Sequence, residues 1–244
     1  MAAHPYQAQA RAEIKLSMTQ YESLLVTFGI PLLFLVAFSL IKVLPLPTGI
    51  AKGVQFLVPG TIALAIMATG MVSLGIATGV ERSYGVLKRL GTTPLSRGAL
   101  LMAKITAIAA IELIQVILLA AVGLALGWKP SGNLLEFILA IILSTSAFAG
   151  LGLIMAGRLK SEAVIGVANG VFLLLLVLGG MIFPITSLPA AISDVAKLLP
   201  AYASAHILFA TSSGVASSTS SSWIVLAIWA LATPLLATRL FRFE

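Results

Sequence analysis

Few residues in this sequence could do covalent chemistry. There is no cysteine, and the two histidines, His4 and His206, lie near opposite ends of the 244 residues. Thiolate or imidazole metal sites and Ser-His-Asp arrangements therefore lack their parts. No G-x-x-x-x-G-K-[ST] phosphate loop occurs, and the apolar runs hold no acid pair or nucleophile–base set. We expect no catalytic residue and no bound metal. Two other groups stand out. One is polar residues inside apolar runs: Glu112 with Gln115 three residues on, and Asn169 beside Gly170. The other is the strongly basic stretch Glu81-Arg-Ser-Tyr-Gly-Val-Leu-Lys-Arg-Leu-Gly-Thr-Thr-Pro-Leu-Ser-Arg97, which has the look of a docking surface.

The elements that must position these groups are membrane helices. Charged residues make up 9% of the chain and hydrophobic ones 59%, against about 25% and 45–50% in a soluble domain. Several uncharged runs reach the roughly 20 residues that cross a hydrocarbon core about 30 Å thick. In this setting the +7 charge reads as Lys and Arg held in cytoplasmic loops, not as a nucleic-acid surface. The first apolar run begins near Ser23, has full span length and lacks a small-residue cleavage pattern after it. It is expected to be a retained helix, not a signal peptide.

In chain order, residues 1–22 suit a helix in the headgroup plane. Ala10, Ile14, Met18, Tyr21 and Leu25 recur at helical spacing, with Arg11, Glu13, Lys15 and Glu22 between them. Spans are expected over about 23–41, 56–80, 105–128, 137–157, 163–184 and 223–238. Pro31 kinks the first, and Pro45, Pro47 and Gly49 make the turn after it. In the second, Gly70, Ser73, Gly75 and Gly79 point to close helix packing. Residues 81–98 form a cytoplasmic loop in which Thr93 caps a helix starting at Pro94. Residues 185–222 form an extracytoplasmic segment. Within it Leu188, Ala191, Ile192, Val195 and Leu199 make an interfacial stripe opposite Ser193, Asp194 and Lys197. A short, re-entrant apolar piece follows it, and then a Ser/Thr-rich loop from Thr211 to Ser222. The fold class is all-α integral membrane: six transmembrane helices, an N-terminal amphipathic helix and a broken segment before the last span, in one domain over 1–244.

Charge tests the count. With six spans and both termini cytoplasmic, the inner side holds Arg11, Lys15, Arg82, Lys88, Arg89, Arg97, Lys104, Arg158, Lys160, Arg239 and Arg242. The outer side keeps Lys42, Lys52, Lys129 and Lys197, so eleven of fifteen basic residues lie inside. Counting Leu188 to Ala210 as a further span would expel Arg239 and Arg242.

On that topology the order Glu81-Arg82, Gly85, Leu87-Lys88-Arg89-Leu90 and Thr93-Pro94-Leu95-Ser96-Arg97 resembles the first large cytoplasmic loop of ABC-2 type transporter permeases of the daunorubicin-resistance kind. Leu57-Val58-Pro59-Gly60, and Phe183-Pro184-Ile185-Thr186-Ser187-Leu188-Pro189 with Leu199-Pro200, are similar to the same family. The resemblance covers nearly the whole chain. It implies the membrane subunit of an ATP-driven exporter in the cytoplasmic membrane, working by alternating access. The compound exported would be hydrophobic or amphipathic, with drug-like molecules favoured. ATP and Mg would sit in a separate ABC ATPase subunit, and the permease would pair with a second copy, identical or paralogous.

It also gives the basic stretch a role, as an ATPase-coupling loop comprising Glu81, Arg82, Tyr84, Gly85, Leu87, Lys88, Arg89, Leu90, Pro94 and Arg97. Tyr84, Val86, Leu87 and Leu90 could supply an apolar knob, while Arg82, Lys88, Arg89 and Arg97 meet carboxylates on the ATPase. Gly85 would permit close approach or a bend. The same charges could instead be only the signal that keeps a solvated loop inside. Glu112, Gln115 and Asn169 could line the translocation pathway or the dimer seam, Glu112 recognising cationic lipophilic substrates. Alternatively Glu112 is a hydrogen-bonded packing device and Asn169 interhelical glue. Lipid, glycolipid or polysaccharide export remains open, as does an ion-coupled secondary transporter using Glu112, or a non-transporting scaffold.

Overall fold

The computed structural model describes residues 5–41, 53–90, 92–93, 95–182, 185, 188–213 and 218–241. Expectations at His4, Lys42, Pro45, Pro47, Gly49, Lys52, Pro94, Phe183, Pro184, Thr186, Ser187 and Arg242 fall outside those residues.

Helix α1, Pro5–Thr19, breaks at Gln20, and the chain turns by 68° into α2, Tyr21–Leu40, which accommodates Pro31. Helix α3, Val54–Met67, passes through a π-helical turn, Ala68–Ser73, into α4, Leu74–Ser83, one continuous rod of 30 residues. The short α5, Val86–Leu90, then precedes α6, Arg97–Ala125. Helices α7, Leu134–Arg158, and α8, Ser161–Leu178, follow. Two shorter helices, α9 (Ala190–Ala196) and α10 (Pro200–Ser213), lead to α11, Ser220–Leu240. Among the described residues five helices are long and apolar enough to cross a membrane, or six if the bent α1–α2 pair is one span. The chain is an all-α, multi-spanning membrane protein.

Burial orders the bundle. The α3–π–α4 rod is 83% buried over its most apolar stretch, against 17% for α8 and 22% for α11. The rod is therefore central, and α8 and α11 are peripheral. Exposed Leu25, Ile30, Leu33, Leu173, Leu174, Val177, Ile228 and Leu231 form the greasy exterior that lipid covers. Inside, two clusters stack along the rod. One gathers Leu57, Ile62, Ile66, Met67, Phe148, Ala203 and Ile207. The other gathers Leu74, Leu87, Leu100, Leu101, Ile105, Leu153, Ala237 and Phe241, and so reaches from the rod through α5 and α6 to α11.

Several boundaries differ from expectation. The fifth span ends at Leu178, not at 184, because Gly180 takes a left-handed backbone (φ 67°) that closes the helix. The last span runs to 21 residues, so it crosses without the shortness expected of 223–238. The expected loop from Thr211 to Ser222 is helical at both ends, as part of α10 and of α11. Thr93 is not a helix cap. Its hydroxyl donates back to the Leu90 carbonyl (2.6 Å), while Ser96 Oγ accepts from Ala99 N–H (3.2 Å) and starts α6. The stripe at Ala191, Ile192 and Val195 faces outward, and α9 turns only Ala196 inward.

Candidate functional site

The basic stretch folds into a compact knuckle between α4 and α6. Gly85 turns the chain with φ +70°, and a side chain there would meet nothing within 4 Å. The glycine is needed for its left-handed backbone, so it makes a bend and not a close approach. Beyond it α5 carries two faces. Leu87 is wholly buried in the second core cluster and Leu90 packs against that cluster. Tyr84 (77% exposed), Val86, Lys88 and Arg89 point away from the bundle. Leu87 thus anchors the helix and is no part of an outward apolar knob. Arg82 is also turned inward: its Nη2 donates to the Leu159 carbonyl at 2.5 Å, at the C-terminal end of α7. A guanidinium there favours the negative end of the helix dipole. Arg97 is exposed at the start of α6.

Glu81, near the C-terminal end of α4, faces the bundle. Its Oε2 is 2.6 Å from Lys104 Nζ, and Glu13 holds the same ammonium at 2.9 and 3.0 Å. Gln9 Nε2 donates to Glu13 Oε1 at 2.8 Å. Lys104, assigned above to the cytoplasmic charge excess, is only 2% exposed. This triad ties α1, α4 and α6 together, with a further bond between Tyr6 Oη and Thr106 Oγ1 at 2.6 Å. Sequence reasoning missed it. The available signal was a lysine eight residues into the apolar helix α6, which a burial argument would pair with an acid.

Deeper in the bundle, Glu112 is 1% exposed and its Oε2 accepts from the Thr145 hydroxyl of α7. Oε1 has no hydrogen-bond partner among the described residues and faces the π-helical turn, where a methyl group on Gly70 would lie 3.2 Å away. Gln115 is bonded twice. Its Oε1 accepts from Thr69 Oγ1 (3.2 Å) and its Nε2 donates to the Thr27 carbonyl (2.7 Å). The pair therefore cross-links α2, the π turn, α6 and α7 within one chain. Gly70, Gly75 and Gly152 let the rod and α7 touch backbone to backbone. A methyl on Gly152 would lie 2.6 Å from the Met71 carbonyl oxygen.

Asn169 is elsewhere, on the exposed face of α8, with its Nδ2 donating to the Ile165 carbonyl one turn back at 2.8 Å. Gly166 and Gly170 beside it have open space around them. His206 Nδ1 lies 2.9 Å from Ser222 Oγ and the ring stacks on Tyr202. Burial holds its imidazole below the ordinary histidine value. No group of three or more His, Asp or Glu side chains among the described residues is placed to hold a metal ion.

Comparison with known proteins bears on what such a bundle is. A profile of the ABC-2 type transporter family matches residues 6–212. YbhS of Escherichia coli (strain K12), named as a probable multidrug ABC transporter permease, is 26% identical over 150 residues, 60% of this chain and 40% of that protein. This chain thus matches less than half the length of that relative. YvfS of Bacillus subtilis (strain 168), named as a transport permease, is 24% identical over 204 residues, 80% of each chain. The family match runs from α1 through α10 and takes in both the knuckle and the buried polar cross-links. The chain belongs to the ABC-2 type transporter family.

Proposed function

We propose that this chain is the permease of an ATP-driven exporter that moves a hydrophobic or amphipathic compound, drug-like molecules favoured, out across the cytoplasmic membrane. Family membership supports the transporter class, and the multidrug name carried by YbhS supports the substrate class. The observation that carries the coupling is the two-faced α5. Its outward face offers Val86, Lys88 and Arg89, with Tyr84 exposed just before it at the end of α4, while Leu87 is fully buried in a cluster built by α4, α6, α7 and α11. A docked partner that displaces α5 therefore displaces the bundle with it, which is what alternating access needs. The partner is an ABC ATPase subunit holding ATP and Mg, with carboxylates facing Lys88 and Arg89. This orientation puts the knuckle and both termini on the cytoplasmic side, and leaves α9 and α10 as the extracytoplasmic, re-entrant segment.

The open face of α8 around Gly166, Asn169 and Gly170 supports a seam with a second permease copy. Glu112 and Gln115, bonded within one chain, act in this reading as the buried lock between α6, the rod and α7.

The test is co-purification. Lys88→Glu with Arg89→Glu should detach the ATPase and abolish ATP-dependent export in vesicles, while the permease keeps its thermal midpoint. An ATPase that stays bound and active would overturn the coupling role.

A further inference from the structure

A polar cavity opens at the elbow between α1 and α2, against the π turn, α4 and α6. Its enclosed space is about 70 Å³, room for a small polar head, and it opens outward at its mouth. Glu13, Glu81 and Lys104 all line it. The Lys104 side chain is 2% exposed, while those of Glu13 and Glu81 keep 12% and 20%. Of the three, the two carboxylates are the more exposed, so they are the members of the triad more open to a bound group. Two carboxylates against one ammonium leave a negative charge uncompensated where desolvated charge is costly.

A second feature points the same way. Thr78 lines the same cavity and is wholly buried, yet its hydroxyl has no hydrogen-bond partner among the described residues. A hydroxyl can accept from an N–H donor. Leu74, Ile108 and Ile111 make an apolar wall, and the exposed Leu16 and Gln20 mark the mouth. Glu112 takes no part in this lining. With two acids and no third metal-ligating group, the site suits a monocation that brings its own N–H donors and an apolar body.

We propose that this cavity binds the ammonium head of a lipophilic monocation, held by Glu13 and Glu81 with Thr78 as acceptor, its apolar body lying along α4 and α6 toward the mouth. The cation is either an amine in transit or the head of an amino-lipid. The first case rests on the exporter reading; the binding itself does not.

The experiment uses the full chain in phosphatidylcholine nanodiscs, titrated with the fluorescent amine monodansylcadaverine and with its neutral N-acetyl form, empty discs subtracted. Saturable binding of the amine is expected, weakened by about tenfold or more on acetylation and in each of Glu13→Gln and Glu81→Gln. Either substitution removes the excess charge and leaves Lys104 one carboxylate, so the variants should keep the parent's thermal midpoint. Thr78→Val, nearly equal in shape, should weaken binding by a few-fold. Equal binding of the neutral form, or unchanged affinity in both glutamine variants, would overturn the proposal. Competition by phosphatidylethanolamine added to the discs would identify the lipid head as occupant, and its absence the amine in transit; each upholds the ammonium site. Failure of the ATPase to co-purify would count against the exporter reading and leave this titration untouched.

Discussion

At Gly152 the rod and α7 approach so closely that a methyl group would sit 2.6 Å from the Met71 carbonyl oxygen and 2.9 Å from that of Gly70. Backbone atoms cannot swing aside as a flexible side chain can. Gly152→Ala should therefore cost about 1–3 kcal/mol through forced separation of the helices, seen as a lower thermal midpoint in detergent. Gly98, on the first turn of α6, has nothing within 4 Å of an added methyl. Gly98→Ala should leave the midpoint unchanged or raise it, by up to about 1 kcal/mol of helix preference. Equal effects at the two sites would show that the contact at Gly152 does not limit packing. The glycines of the second span were legible as packing residues from their spacing alone. Which of them touches backbone was not, because spacing names a face and not the neighbour that meets it.

At the scale of elements, the Glu13–Lys104–Glu81 triad holds the N-terminal helix against α6 and α4. Lys104→Met removes the common partner and strands two partly buried carboxylates. We expect a loss of about 3–5 kcal/mol, read as a lower unfolding midpoint and faster proteolysis within α1. Neutralising both acids as well, in Lys104→Met with Glu13→Gln and Glu81→Gln, should recover most of that loss, since the cost lies in the unpaired charges and not in the missing ammonium. A triple variant no more stable than Lys104→Met would refute this account. The existence of α1 was legible from its 3.6-residue pattern, and α1 is indeed helical through Thr19. Its seat was not legible, because the triad joins residues 91 and 23 positions apart from Lys104. Local periodicity carries no information at such separations.

For the whole molecule, α8 is the least covered of the five helices that are each long and apolar enough to cross a membrane, and its exposed face combines two open glycines with Asn169. If that face is the seam between two copies, Asn169→Cys should give a disulfide-linked dimer on mild oxidation. The natural chain has no cysteine, so the product would report on this position alone. The expected result is a band of twice the mass on a non-reducing gel, lost when Gly166 and Gly170 are both replaced by isoleucine. A strictly monomeric product from membranes holding only this permease would overturn the seam at this face.

By itself the sequence determined that the chain is helical and lives in a bilayer. It also marked the apolar runs from which the long helices form, although α6 begins eight residues before the expected 105 and α8 ends six before 184, and the order of residues 81–97 pointed to the family. These are local properties: about 20 apolar residues in a row must form a helix in lipid, since no other single segment satisfies its own backbone there. Tertiary structure alone decided which way each side chain faces. Leu87 and Arg82, equally eligible for docking on paper, turn inward, while Tyr84 and Lys88 turn outward. Lys104 passed for one more cytoplasmic charge, yet it is buried between two acids from distant parts of the chain. In a membrane protein nearly every position is apolar, so hydrophobicity no longer separates inside from outside. The facing is set by close contacts and paired charges between helices far apart in sequence.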